Sequence, residues 1–435
     1  MLNFSHNPGG WSKDLDLLVS RMRAIHPNLY HTHGFEVWAE AIEEFKERLP
    51  SMAWYEMVAG VLRLAALAGD GHTTIFDMPE QGPGFDRRYP VDCWCCPDGM
   101  YVTRTLEGCR ELFGGRIKCM NGFLVEEVIE ALRPYISADN ELWMLYRMPV
   151  YLRVPGILHA AGLSESVEAP LELTIVDDEG YPSTIEVEAI EAGTEPDWCA
   201  TDDNVDAAAP KPLYRRNVSH YTFDFDEAEQ VLYVDHRRVR DAEDETLAAF
   251  SERLFDFVDA HPVEKFVLDI RQNAGGNLSL NQPLVHGLIA NKRLNQPSKL
   301  FVIIGRGTFS ATMHLASYIE RETHALFVGE PTGSTPNHYG DPELICLPHT
   351  GLTLFCSTVF WQNSEPWDAR PWLFPDLPSP LAFADYLQRR DPALEAIRCY
   401  KAGANGERRL PWTIWRRPGQ ERAWPALAQM ARINP

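Results

Sequence analysis

Two stretches decide how this chain is read: residues 265–277, KFVLDIRQNAGGN, and residues 299–320, KLFVIIGRGTFSATMHLASYIE. Each opens with an apolar run of strand length and empties into a turn that carries glycine. Short continuous apolar runs bounded by turn signals predict strands buried on both faces. In the second stretch a helical pattern follows at once, so Ser310 stands where a strand turns into a helix. A helix start presents unpaired backbone N–H groups and the positive end of the dipole. Both would favour an oxyanion forming beside the serine, with the N–H of Ala311 as the natural donor. An ordinary helix cap is the competing reading, because serine is among the preferred caps. In the first stretch Gly275 and Gly276 end a strand and let the backbone approach a ligand with no Cβ in the way. A simple tight turn would look the same. Taken together, glycine amides on one strand end and a nucleophile on the next are what acyl transfer requires.

Outward from these two strands the pattern is strand–helix–strand–helix over residues 206–400. Strands are expected at 230–234, 265–270, 300–304 and 325–328, and helices at 243–259, 280–288 and 309–320. That alternation predicts βαβ units and a largely parallel sheet. Residues 344–347 and 352–359 read as a hairpin. Residues 1–75 read as a helical unit. Ser12 is the expected cap of a first helix with Leu15, Leu18 and Met22 at helical spacing, which Pro27 stops. A second helix over 35–49 places Trp38, Ile42 and Phe45 on one face, and a third carries Met57, Val61, Leu64 and Ala68 inward to Gly69. Residues 76–205 read as β-rich, with strands at 100–105, 116–120, 171–176 and 184–189 interrupted by one or two helices, including 125–132. Turns are expected at Asn121-Gly122 and at residues 178–180. The fold class is therefore α/β and multi-domain. Residues 401–435 hold seven Lys/Arg against two Asp/Glu, with three Trp, and read as a basic C-terminal tail.

The whole chain has 435 residues and a formal charge of −22. That charge argues against non-specific nucleic-acid binding and against an anionic membrane surface. No run approaches the roughly 18 apolar residues that a membrane span needs. The first residues lack a cationic and an apolar segment, so no secretory signal is expected and the compartment is read as cytoplasmic. Nine cysteines without a secretory context predict reduced, structural thiols. Cys93, Cys95 and Cys96 cluster, but no second Cys/His pair stands at zinc spacing. His31 and His33 are read as loop histidines. No metal or cofactor is expected.

Five short motifs stand in order along the chain. They are Gly69-Asp70-Gly71-His72-Thr73, the run from Asp269 to Gly276, Thr308-Phe309-Ser310-Ala311, Gly329-Glu330-Pro331-Thr332-Gly333, and Phe374-Pro375-Asp376. They resemble the G-D-x-H-T, D-x-R-x-N-x-G-G, serine, G-E-x-T-x-G and P-D motifs of the S41 peptidases, the tail-specific and tricorn-core proteases. The resemblance implies a serine peptidase that acts on peptides or proteins and needs no cofactor. It implies a crotonase-like β-α core with a helical N-terminal unit and an inserted module. Residues 114–132 are similar to the strand, turn and helix of PDZ-like modules; a plain β-rich spacer reads equally well.

The tail-specific members use a lysine just after G-E-x-T. That position is Thr335 here, and no lysine occurs between Ser310 and Lys401. The resemblance therefore points to the His-based branch and to His72, whose neutral imidazole suits proton abstraction near neutral pH. His314, one helical turn after Ser310, and His338 are rival bases. The resemblance implies a carboxylate as third member, just before P-D; Asp368 is the best-placed match, Glu365 the fallback, and Glu330 and Asp70 lie further out. The family's serine beside the histidine is absent, since that neighbour is Gly71. The implied site is Ser310, His72 and Asp368, with Ala311 and the Gly275/Gly276 amides as oxyanion donors. Two other classes stay open: a silent peptide-binding protein, and a non-peptidase acyl hydrolase or acyl-CoA enzyme. Oligomeric state is left open.

Overall fold

Leu300, Val302 and Ile304 face one hydrophobic layer while Phe301 and Ile303, between them, face another. Successive strand residues point to opposite faces, and a sheet covered on both sides reads as an unbroken apolar run. This is why KLFVII shows no polar alternation. The computed structural model describes residues 2–177, 180–200, 211–216 and 218–401. Asp178 and Glu179 of the expected turn, and the basic tail beyond Lys401, lie outside the described residues.

In chain order the helical unit is α1 (Pro8–Ile25), α2 (Phe35–Arg48) and α3 (Trp54–Ala66). An antiparallel module follows, with β1 (Val91–Cys96), β2 (Gly99–Leu106), β3 (Arg116–Met120), α4 (Val125–Leu132), α5 (Glu141–Leu152), α6 (Pro155–Ala160), β4 (Leu171–Val176) and β5 (Pro182–Val187). Next come β6 (Tyr221–Asp226), β7 (Val231–His236), α7 (Leu247–Ala260), β8 (Lys265–Asp269), α8 (Gln282–Ala290), β9 (Leu300–Ile304), α9 (Ala311–Glu322) and β10 (Leu326–Gly329). The last elements used below are β11 (His338–Gly340), β12 (Glu343–Cys346), β13 (Thr353–Cys356), β14 (Val359–Trp361), β15 (Leu377–Pro378) and α10 (Pro392–Cys399).

The central sheet has the order β6-β7-β8-β9-β10-β15. Only β6 and β7 pair antiparallel; the other neighbours are parallel. α7, α8 and α9 cover one face and α10 the other. The carboxyl ends of β8 and β9 therefore lie side by side, with Asp269 opposite Ile303. In the module β1-β2-β3-β4-β5 form an antiparallel path. Asn121 and Gly122 both take positive φ in the tight turn after β3, the conformation that Asn-Gly hairpin turns favour. The core of the helical unit continues without a break into the module and onto the β12–β13 hairpin. No helix of the described residues is long and apolar enough to cross a membrane.

Two local expectations are corrected. The first helix starts one turn earlier than Ser12, because Pro8 occupies its first position and the Asn7 side chain accepts from Gly10 N–H. The module also holds α5, which the sequence reading did not place; Pro149 lies inside it, against the usual rule for helix interiors.

Candidate active site

The turn after β8 is built by its own polar side chains. Asp269 accepts from the backbone N–H and Nε of Arg271, and the far edge of that guanidinium grips Asp391 at 3.0 and 2.8 Å. Asn273 is fully buried; it donates to the His236 carbonyl at 2.9 Å and accepts from Gly275 N–H at 2.9 Å. Gly275 and Gly276 have φ of +103° and +143°, a region that L side chains rarely adopt. A Cβ on Gly275 would lie 2.7 Å from Ser310 Cβ and 2.9 Å from Ala311 N. The glycine is what lets the two strand ends touch. Thr308 ties them further, donating to the Ile270 carbonyl and accepting from Gly305 N–H.

Ser310 sits at the start of α9 with φ +55° and ψ −129° and makes no side-chain cap hydrogen bond. A non-glycine residue held there costs of order 1–3 kcal/mol and persists only where surroundings over-determine it. The serine stands at the cap position, but its hydroxyl does not cap the helix. Its Oγ lies 2.8 Å from Nε2 of His72, across 238 residues of sequence. Neither Ala311 N–H nor Gly276 N–H has an acceptor among the described residues, whereas Gly275 N–H is taken by Asn273.

His72 is placed by the loop that carries it. Asp70, buried, accepts from His72 N–H, Thr73 N–H and the Ser357 hydroxyl, and its second oxygen meets His26 Nε2 at 3.1 Å. Burial pushes this carboxyl upward, but the hydrogen bond and charge of His26 and the Ser357 bond outweigh it, leaving Asp70 well below the usual range. The His72 ring lies against Phe309 at 4.5 Å between centroids and 23° between planes, and is nearly parallel to His338 at 5.9 Å. Only 4% of the residue is exposed. Burial lowers its pKa to about 4, against the opposing pull of Asp70, the Tyr339 backbone and Asp341. The ring is therefore neutral at physiological pH, with Nε2 free to accept the Ser310 proton. Nδ1 is buried and, among the described residues, has no partner of full hydrogen-bond geometry, although the Tyr339 backbone pulls on the ring.

The structure thus brings Ser310, His72, Ala311 and the two glycines together. It does not bring Asp368 to His72. Asp368 is clipped by Arg370, which holds it through the backbone N–H and Nε and spans to Glu320 at 2.8 and 2.9 Å. Ser364 donates to its other oxygen at 2.6 Å. Burial raises this carboxyl, but the bonds from Arg370 and Ser364 carry it below its ordinary value. Glu365 is exposed. Glu330 is locked to the buried Arg306 at 2.8 and 3.2 Å. His338 bonds the Thr335 carbonyl through Nδ1, and its ring stands edge-on to His314 at 5.1 Å. Asn363 is the hydrogen-bond partner of His314, whose pKa burial lowers to about 4. Asp376 accepts from Phe327 N–H and so pins β10. His31 and His33 bond the Asn28 and Leu67 carbonyls, and the His31 ring lies beside Tyr339.

The antiparallel module reaches into this site, which the sequence reading missed. Trp143 of α5 stacks on Phe309, the residue before the serine, at 3.7 Å and 8°. Tyr146 stacks on Trp143 in turn. Asn140 caps α5 through Trp143 N–H and donates to the Thr332 and Pro371 carbonyls. An Asn before an apolar run is a cap signal, so α5 was within reach of the sequence, but its contacts were not.

No protein-family model matches the sequence, and no curated protein matches it. Solved structures do. Mature CPAF aligns over 90% of this chain and 96% of its own, at 13% identity and a TM-score of 0.61. Mature CPAF complexed with lactacystin gives the same identity and TM-score over 90% and 97%. The photosystem II D1 C-terminal processing protease covers 91% of this chain and 99% of its own at 13% identity, with a TM-score of 0.42. At such identities the likeness is one of fold, and the fold is that of the S41-family peptidases.

Proposed function

We propose that this chain, with its S41-peptidase fold, is a serine peptidase in which Ser310 is the nucleophile and His72 the general base. One observation carries the reading: a serine at φ +55° whose hydroxyl, instead of capping its helix, meets a buried imidazole at 2.8 Å. The Ser310 proton passes to His72 Nε2 as Oγ attacks a peptide carbonyl. Ala311 N–H and Gly276 N–H then hold the oxyanion, a contribution of about 10²–10³ in rate for one such donor. The imidazolium returns the proton to the departing amine, leaving an acyl-enzyme. Water, deprotonated by the same nitrogen, releases the acid. Among the described residues no carboxylate bonds Nδ1, the third place of a triad. Packing against Phe309 and His338, the pull of the Tyr339 backbone and the Asp70 grip on the loop orient the ring instead. The PDZ-like reading of the module and the crotonase-like reading of the core belong to the same proposal.

The experiment is digestion of a mixed peptide library, read by mass spectrometry, with wild type beside Ser310→Ala. Cleavage that disappears in the variant is expected. Cleavage that persists in Ser310→Ala would refute the nucleophile, and a wild type that neither cleaves nor labels with a fluorophosphonate would refute the activity.

A further inference from the structure

We propose that Asp139, in the antiparallel module, is the positioning residue that keeps the His72 loop in register with Ser310. The proposal rests on the function above. One oxygen of Asp139 accepts from Gly71 N–H at 2.7 Å and the other from the Ser334 hydroxyl. Gly71 precedes the base, and Ser334 lies in the loop after β10. The pull on Gly71 matters because there is no slack beneath it. A Cβ there would stand 2.7 Å from the Phe309 ring and 2.9 Å from Trp143 Nε1. The loop is therefore seated on the side chain that immediately precedes the nucleophile. Asn140, the next residue, binds the Thr332 and Pro371 carbonyls. Asp139 and Asn140 together form a bracket joining three segments distant in sequence. Asp70 holds the same loop through different atoms, the N–H groups of His72 and Thr73.

The bracket has a protonation state. Part of the residue's surface is exposed, but its carboxylate is enclosed. That burial pushes the pKa up to about 7, against the bonds from Ser334 and Gly71. Asp70 is the ionised group whose charge presses on it, and Asp70 is itself met by His26. Residues 332–335 bring no ionisable side chain. Beside the bracket, Glu141 is paired with Arg133, and Arg370 with Asp368 and Glu320. The ionised carboxylate accepts both bonds. Once protonated, it must donate to Ser334 and leaves Gly71 a neutral acceptor, and charge-assisted bonds are roughly twice as strong as neutral ones. The hold on the loop therefore tightens as pH rises through 7.

The test is the second-order rate of Ser310 labelling by a fluorophosphonate between pH 5 and 9, in wild type, Asp139→Asn and Asp139→Ala. In this reaction the Oγ–P bond forms, fluoride leaves and His72 takes the serine proton. Wild type should gain rate across pH 7. The isosteric, neutral Asn variant should match wild type at pH 5.5 but run roughly tenfold slower at pH 8.5, having lost the charge-assisted hold. The Ala variant should be slower throughout. An Asn variant equal to wild type at pH 8.5, or slowed equally at every pH, would overturn the proposal. A second readout is independent of chemistry: deuterium exchange of a peptide spanning residues 69–76, compared at pH 8. Exchange several-fold faster in Asp139→Asn supports the bracket even if no labelling occurs, whereas unchanged exchange refutes it. Loss of labelling in wild type alone would count against the serine-hydrolase reading.

Discussion

Two buried histidines, His72 in the loop before the module and His236 at the end of β7, are alike in burial and in the direction of their pKa shifts. They are 4% and 1% exposed, and burial lowers both pKa values to about 4. In each, Nδ1 is buried without a partner of full hydrogen-bond geometry among the described residues, while Nε2 is engaged. They differ in what Nε2 meets. His236 faces the Asn281 carboxamide oxygen at 3.0 Å, an acceptor, so its Nε2 must carry the hydrogen. His72 faces a hydroxyl at 2.8 Å, so its Nε2 can be the bare, basic atom. Burial makes a neutral imidazole; only the partner makes it a base. On the proposed function, the same contrast separates a folding element from a reacting one.

The strongest way to break this comparison is to remove each ring. His72→Ala should lower Ser310 labelling about 10²–10⁴-fold, the usual worth of a general base. His236→Gln should keep the rate within about threefold yet cost about 1–3 kcal/mol in urea unfolding, because it leaves buried polar atoms unmatched. Equal losses of rate would erase the distinction. Next in size is Gly275→Ala, whose Cβ would press on Ser310 and Ala311 N; labelling should fall about 10²-fold through the displaced oxyanion donor. A pH series treats the two histidines together. The unfolded chain takes protons below about 6.5 but the folded one only near 4. Stability should therefore be complete above 6.5 and decline as pH falls toward 4, by about 1–3 kcal/mol for each ring, measured by thermal melts. His72→Ala should shrink that decline, and one that is unaltered would remove His72 from it. The smallest effect belongs to Asp368→Ala. Rate should stay within about threefold while stability drops by about 1 kcal/mol with the Arg370 network. A loss matching His72→Ala would restore Asp368 to the third position.

The sheet was legible because both its faces are covered, which turns β8 and β9 into unbroken apolar runs. The meeting of Ser310 with the glycine turn was legible because parallel neighbours align their carboxyl ends. Less visible was the role of Asp368, although residues 368–370 repeat the Asp-x-Arg spacing of 269–271. In both places the aspartate receives its own arginine's N–H and Nε, and the arginine reaches on to a second carboxylate. The repeated spacing was a sign of a clip, not of a free carboxylate. Trp143, Asn140 and Asp139 were invisible for another reason. Their contacts join segments some seventy to two hundred and thirty residues apart, and no local pattern records such pairings.

The column of rings running from Tyr146 through Trp143 and Phe309 to His72 and His338 also has an optical consequence. An indole held face to face with its neighbours, two rings from the His72 imidazole, emits according to how that column is stacked. The chain has 12 tryptophans, so the signal of one is a difference, obtained by subtracting the spectrum of a Trp143→Phe protein. That difference spectrum reports how Phe309, and with it the Ser310–His72 pair, is stacked in the resting protein, with no substrate in hand.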